Sequence, residues 1–339
     1  MSLITRALAA AAAVALLCLP LLAQSRIELK LATFAPANTS WHRALTEMGA
    51  AVTKATSGRV VLRVFANGTQ GPEATVVTLM RVGQLNSALL MPSGLAQIDP
   101  SVNVFAMPFF IQDDAELQHL LDTVGPEVAR RFEAKGFHLL NWGSAGWVQV
   151  FSKQQIRTLD DLKRAKLFTS AGDEATVRWY TSNGFRPQAL SEKEIVAQLR
   201  LPNGMIDAVP SPPYGAVALQ FYTATPYMLD LRVAPLVGAT VVSKTVWDKL
   251  SAEDRDAVNT AAQAMQRRVL AEVPKIDADA VAAMQKAKLT VTTLDAAART
   301  QFQQAAAQLT PSLRGTIVPA DMYDLVVKAR DSYRQSKGR

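Results

Sequence analysis

Three histidines, one cysteine and a few close pairs of carboxylates are the residues whose types could do chemistry. His42, His119 and His138 stand far apart, with no HExxH or His-x-His spacing, so they offer no shared metal. Cys18 is alone, which excludes an internal disulfide and a cysteine-rich metal site. Asp113-Asp114, Asp160-Asp161 and Asp277-x-Asp279 fall where helix starts or solvated helix faces favour carboxylates. No GxSxG, Walker loop, GxGxxG or CxxC occurs. Nucleophilic, metal and dinucleotide chemistry therefore have no equipment, and no cofactor is expected. An enzyme is the weakest of the functional classes considered.

The chain has 339 residues, 49% hydrophobic and 19% charged, with 17 Gly and 17 Pro. That composition suits about two ordinary globular domains and excludes disorder or a collagen-like repeat. Arg6, the apolar run Ala7 to Leu22 and the small residue Ala23 form an export-signal pattern, so residues 1–23 read as a cleaved signal peptide. The run is too short for an ordinary membrane span, which takes roughly 20 residues. Leu17 and Leu19-Pro20 around Cys18 fit a lipid-attachment site badly. The formal charge is +7, but Lys and Arg are scattered and no nucleic-acid-binding motif appears. A solvated basic surface is the simpler reading.

Elements alternate after the signal. Ile27 to Phe34 alternates as a strand, and Trp41, Ala44, Leu45, Met48, Val52 and Ala55 recur at helical spacing up to Gly58. Strands are expected at Val60 to Phe65, Leu85 to Met91 and Phe137 to Trp142. A helix opens at Pro72-Glu73, and two more, broken at Gly125-Pro126, fill 113–135. A second unit starts near Gly146, with strands at Val148 to Ser152, Ala165 to Thr169 and Met205 to Val209. Thr158-x-x-Asp161, Ser191-x-x-Glu194 and Ser251-x-x-Asp254 have the spacing of helix caps. The last opens a long Ala-rich helix that Pro274 should kink or split. This rhythm predicts an α/β fold in two units, with the chain crossing between them more than once.

Seven segments then carry a resemblance in a fixed order. They are Ser40-Trp41-His42, Thr56-Ser57-Gly58-Arg59-Val60, Phe65-Ala66-Asn67-Gly68-Thr69-Gln70-Gly71, Met107-Pro108-Phe109-Phe110, Leu159 to Lys166, Gly204-Met205-Ile206-Asp207 and Val242 to Trp247. Together, over roughly residues 27–310, the chain resembles the solute-binding subunits of tripartite ATP-independent periplasmic (TRAP) transporters, dicarboxylate-binding type. The resemblance implies an α/β two-lobed periplasmic binding protein fold, a ligand cleft between lobes and a long kinked bridging helix. It implies periplasmic location, a small-molecule ligand captured by lobe closure, and small and large integral membrane subunits as partners. Lobe I is expected to hold residues 26–145 and 236–276, and lobe II residues 146–235 and 277–335.

Departures from the family pattern fall at the site. The family's ligand-binding Arg of the strand after the DLKGLK-like segment is Phe168 here, and its second Arg falls on Val148. The family's Asn falls on Ser211, the end of the third strand on Met91, and the loop after the first strand on Phe34. Lys166, Arg178 or Arg186 could replace the missing cation. Alternatively the pocket has changed class and Phe34, Met91, Trp147 and Phe168 hold an apolar or aromatic ligand, the preferred reading, because an unpaired guanidinium in a closed cleft costs several kcal/mol. Burying about 150–250 Å² of such a ligand yields about 4–6 kcal/mol. Micromolar binding needs about 8 kcal/mol, so hydrogen bonds from Ser93, Thr169, Ser211 and Tyr214 are expected. Trp179 is expected in the core. A stand-alone carrier of hydrophobic molecules is the rival reading.

Overall fold

The computed structural model describes residues 26–338; the expected signal peptide and Cys18 lie outside the described residues. In strand β1 (Ile27–Thr33), Leu29 and Leu31 are buried in the core on one face of the sheet and Ala32 in the core on the other, as an inner strand covered on both faces requires. Helix α1 (Ser40–Ala55) begins where the Thr39 side chain accepts the His42 N–H. It buries Trp41, Leu45, Met48 and Val52. Strand β2 (Val60–Phe65) pairs with β1 in parallel register from Ile27 with Val60 to Ala32 with Phe65. Then come α2 (Glu73–Arg81), β3 (Ser87–Leu90) and α3 (Pro92–Ile98), followed by α4 (Asp114–Thr123) and α5 (Gly125–Ala134). The expected break at Gly125-Pro126 thus falls between α4 and α5.

Strand β4 runs further than its apolar stretch suggested, from Phe137 to Trp147. It leads into the second unit: β5 (Gln149–Ser152), α6 (Leu159–Arg164), β6 (Lys166–Ser170), α7 (Glu174–Ser182), β7 (Arg186–Leu190), α8 (Ile195–Arg200), β8 (Ala208–Ser211), α9 (Pro213–Ala218) and β9 (Tyr227–Leu229). The chain returns through β10 (Pro235–Ser243), antiparallel to β3 on one side and β4 on the other. The first sheet has the order β2-β1-β3-β10-β4. After α10 (Lys244–Trp247) and α11 (Ala252–Lys286), β11 (Thr290–Thr292) joins the second sheet, whose order is β11-β9-β5-β8-β6-β7. Helices α12 (Ala296–Leu309) and α13 (Ala320–Ser336) follow.

Helix α11 joins the two units. Val258, Ala262, Met265 and Val269 pack with Trp41 and Leu45 under the first sheet, whereas Met284 packs with Phe151 and Phe221 of the second. Pro274 lies inside this helix without splitting it; packing at both ends offsets the lost N–H bond. The end of the chain departs from the expected division. Met322 and Val326 of α13 are buried with Phe105, Phe110 and Leu117 of the first unit. Arg334 holds Glu116 at 2.6 Å and so ties the last helix to α4.

Candidate ligand-binding cleft

Between the sheets lies a cavity of about 490 Å³. Phe34, Met91 and Ser93 line it from the first unit, and Phe168, Thr169, Ser211 and Tyr214 from the second. Val148, in the crossing connection, lines it too. Phe34 stands at the end of β1 against the 67–71 turn. Gly68 has φ +58, and a Cβ there would lie 2.4 Å from the Phe34 ring, so the turn needs glycine both for its dihedral and for the aromatic beside it. Met91 caps α3. Phe168 occupies the middle of β6, half-buried and packed with the second unit's core.

Trp147 does not line the cavity. Side chains of successive residues in an extended chain point to opposite sides, so with Val148 toward the cleft Trp147 turns away. Its indole N–H donates to Asp114 at 2.8 Å and its ring lies beneath Arg232. Lys166, Arg178 and Arg186 are also absent from the lining: Lys166 Nζ donates to the Gly204 carbonyl at 2.6 Å, and Arg178 and Arg186 are exposed. Trp179, expected in the core, is half-buried, lines the cavity and donates its indole N–H to Ser312 at 2.8 Å.

The polar groups of the lining divide by how much capacity they have left. Ser93 donates to Glu73 at 3.0 Å and Ser211 to the Pro212 carbonyl at 3.0 Å. Tyr214 Oη bonds both the N–H and the hydroxyl of Ser40, which links α9 to α1 across the two units. The Thr169 hydroxyl is buried without a partner, a state that costs free energy. Among the described residues, no lysine, arginine or histidine lines the cavity.

Its acidic lining groups are three carboxyl groups, none of them among the expected site residues: Glu73, Asp173 and Glu192. Glu73 accepts from the Met91 N–H at 2.8 Å, the Ser93 hydroxyl, and the Gly94 N–H at 2.8 Å. Burial nevertheless pushes its carboxyl up to about 8, and nearby Glu192 adds to the rise. Asp173 caps α7, and Glu192 accepts from the Ser170 hydroxyl at 2.8 Å. The signal for Glu73 was the Pro72-Glu73 helix opening, which sequence alone reads as a favourable N-terminal charge.

Asp277 also departs from its expected place on a solvated helix face. It is half-buried on α11, and burial pushes its carboxyl up to about 6 although the Tyr214 and Trp147 N–H groups donate to it. Gly146 has φ +107, and a Cβ there would fall 2.1 Å from the Asp277 carboxylate, so the crossing strand can approach the long helix only as glycine. The other acidic pairs behave as expected: Asp161 completes a capping box with Thr158, and Asp113 caps α4.

Comparison with known proteins accounts for this arrangement. Residues 31–314 match the model of the bacterial extracellular solute-binding proteins, family 7. The 2,3-diketo-L-gulonate-binding periplasmic protein YiaO of Escherichia coli is 25% identical over 238 residues, covering 69% of this chain and 72% of its own. The ectoine/5-hydroxyectoine-binding periplasmic protein UehA of Ruegeria pomeroyi is 25% identical over 256 residues, 73% of this chain and 74% of its own. Among solved structures, a TRAP periplasmic solute-binding protein of Desulfovibrio salexigens with bound orotic acid superimposes with a TM-score of 0.84 at 19% identity, covering 91% of this chain and 99% of that one. One from Pseudomonas putida F1 with bound D-glucuronate gives 0.80 at 24% identity, over 89% and 96%. An α/β pair of sheets bridged by a long helix, matched by the family model over most of its length, makes this chain a bacterial extracellular solute-binding protein of family 7, a binding protein and not an enzyme.

Proposed function

We propose that the cleft captures a small organic ligand with an apolar or aromatic body, closes around it, and presents it to the small and large membrane subunits of a TRAP importer. Export by a cleavable signal peptide would place the protein in the periplasm. The lobes divide as the two sheets do, with α13 returning to the first. The observation that carries the reading is the lining itself, in which aromatic and aliphatic side chains surround three carboxylates and no cation. The positions where the family keeps its ligand-binding arginines are Phe168 and Val148. Relatives are named for, or hold, small polar solutes: 2,3-diketo-L-gulonate, ectoine, orotic acid and D-glucuronate. An acid group placed between Phe34 and Phe168 would meet Asp173 and Glu192 instead of a guanidinium, at a Coulombic cost. Phe34, Met91, Val148 and Phe168 supply the apolar walls; Thr169 is the hydroxyl with unused capacity, Ser93 and Ser211 retain acceptor lone pairs, and Tyr214, whose oxygen accepts both Ser40 bonds, retains its O–H donor.

Closure follows from contact with both lobes: a ligand touching Phe34 and Phe168 together binds the closed form better and shifts the equilibrium toward it. The test is thermal unfolding of residues 26–339 against neutral aromatics, monocarboxylates and small dicarboxylates. A true ligand at about 100 times its Kd adds about 2.7 kcal/mol, or about 4 °C in a chain of this size. Neutral aromatics should give that shift and succinate-sized dicarboxylates should not. Phe168→Arg should abolish the aromatic response. Stabilisation by hydrophilic dicarboxylates alone would overturn the reading.

A further inference from the structure

A second cavity, about 810 Å³, lies between α12 and α13. It shares Pro108, Phe109, Leu231 and Thr310 with the lining of the cleft, so the two spaces are separated by a single layer of side chains. Its chemistry is opposite to that of the cleft. Four guanidinium groups, from Arg232, Arg299, Arg330 and Arg334, line it, with Asp230 as the one lining carboxylate.

Two of the four already serve the fold. Arg334 grips Glu116 and the Phe110 carbonyl, and Arg330 pairs with Asp331 while its guanidinium lies 4.1 Å from the centre of the Phe110 ring. The other two have no ion-pair partner among the described residues. Arg299 makes one long contact, 3.4 Å, to the Asp230 carbonyl. Arg232 lies 5.7 Å above the centre of the Trp147 ring and shares a neighbouring cavity with Asp114 and Asp277; its charge favours the ionised Asp277 carboxyl without a direct ion pair. Arginine is the side chain suited to a carboxylate, because its planar donors match two acceptor oxygens at once.

The cleft cavity reaches toward these arginines along α12. Phe302, Ala306 and Leu309 on one side of that helix line the cleft with Leu167 and Leu229, while Arg299, Gln303 and Ala307 on the neighbouring side line the second cavity. At the junction, Phe109 has φ +55, a conformation that a bulky aromatic rarely adopts. Its N–H donates to the Val233 carbonyl at 2.7 Å, which holds it there.

We propose that the two cavities form one extended site for an amphipathic monocarboxylate. The apolar body lies in the cleft and along α12, and the carboxylate reaches past Phe109 to Arg232 and Arg299. The acid group is thereby kept away from Glu73, Asp173 and Glu192. This rests on the reading that the cleft takes an apolar body, and it specifies where the charge of such a ligand goes.

Calorimetric titration with a ladder of phenylalkanoates of increasing chain length, each beside its methyl ester, tests it. Beyond a threshold length the acid should bind at least about tenfold tighter than its ester, the effect of gaining a charge-assisted pair. Short acids should show no such advantage. Replacing both arginines (Arg232→Ala with Arg299→Ala) should bring the long acids down to the affinity of their esters, and 0.5 M NaCl should narrow the same gap. Parity of acid and ester at every length, or an acid advantage that survives the double replacement, would overturn the proposal while leaving the apolar cleft standing. Binding of short hydrophilic acids with no ester bound at any length would remove both.

Discussion

Glu73 is a carboxyl group buried without a cation beside it, so its proton has consequences for stability. Its ordinary value of 4.5 rises to about 8 through burial. Between those values the folded chain keeps a proton that the unfolded chain has lost, so stability falls as pH rises through this window and levels off above about 8. Asp277 acts in the same direction, but its rise from 3.8 ends at about 6. The interval from pH 6 to 8 therefore isolates Glu73. Glu73→Gln should flatten the decline in urea-unfolding free energy across pH 6, 7 and 8. It should also lower stability by about 1–3 kcal/mol at pH 5, because one amide oxygen cannot accept all three bonds that Met91, Ser93 and Gly94 donate. An undiminished decline in the variant would show that the proton is held elsewhere.

At the scale of elements, α13 is docked by the buried Met322 and Val326, by an exposed pair between Asp321 and Arg131, and by one ion pair with a buried member. Glu116 is 1% exposed, and Arg334 reaches it from 218 residues further along the chain. Arg334→Ala leaves that carboxylate buried and unpaired, so it should destabilise the protein by about 3–5 kcal/mol in chemical unfolding. A loss below 1 kcal/mol would mean that the apolar contacts of Met322 and Val326 suffice. This attachment also marks a limit of sequence reading. Periodicity identifies α13 as a helix, but nothing local says which sheet it returns to, because that is decided by partners at positions 105–117. Strands β7 and β9 were missed for a related reason: one is an exposed edge interrupted by Pro187, the other has three residues, and neither carries an alternating pattern long enough to read. The capping spacings were legible because a cap is a contact within four residues, and all three form as written. Phe34, Met91, Val148 and Phe168, the positions that the resemblance marks out, line the cavity. Trp147 was put on the wrong side because one residue of register at a crossing strand reverses the side chain. The three cleft carboxylates were hidden by their local roles at helix starts.

For the whole molecule, the hinge is built from few covalent links and several polar ones. The β4–β5 connection, the β9–β10 connection and α11 join the sheets. Asp277 holds the N–H groups of Trp147 and Tyr214, and Tyr214 reaches Ser40 in the opposite unit. In the proposed closure the sheets change their spacing about these crossing points, and the apolar lining supplies the gain on closing. The proposed function sets this protein apart from carriers of hydrophilic anions on one ground: among the described residues, no guanidinium lines the cleft between Phe34 and Phe168. A crystal structure of residues 26–339 with the tightest ligand from the titrations tests this directly. The ligand's apolar body should lie against Phe34, Met91 and Phe168, with the Thr169 hydroxyl bonded to it and no arginine or lysine nitrogen within about 4 Å of any ligand atom in that space. Arg178, Arg186 or Lys166 swung inward onto a ligand carboxylate between the two phenylalanines would contradict it.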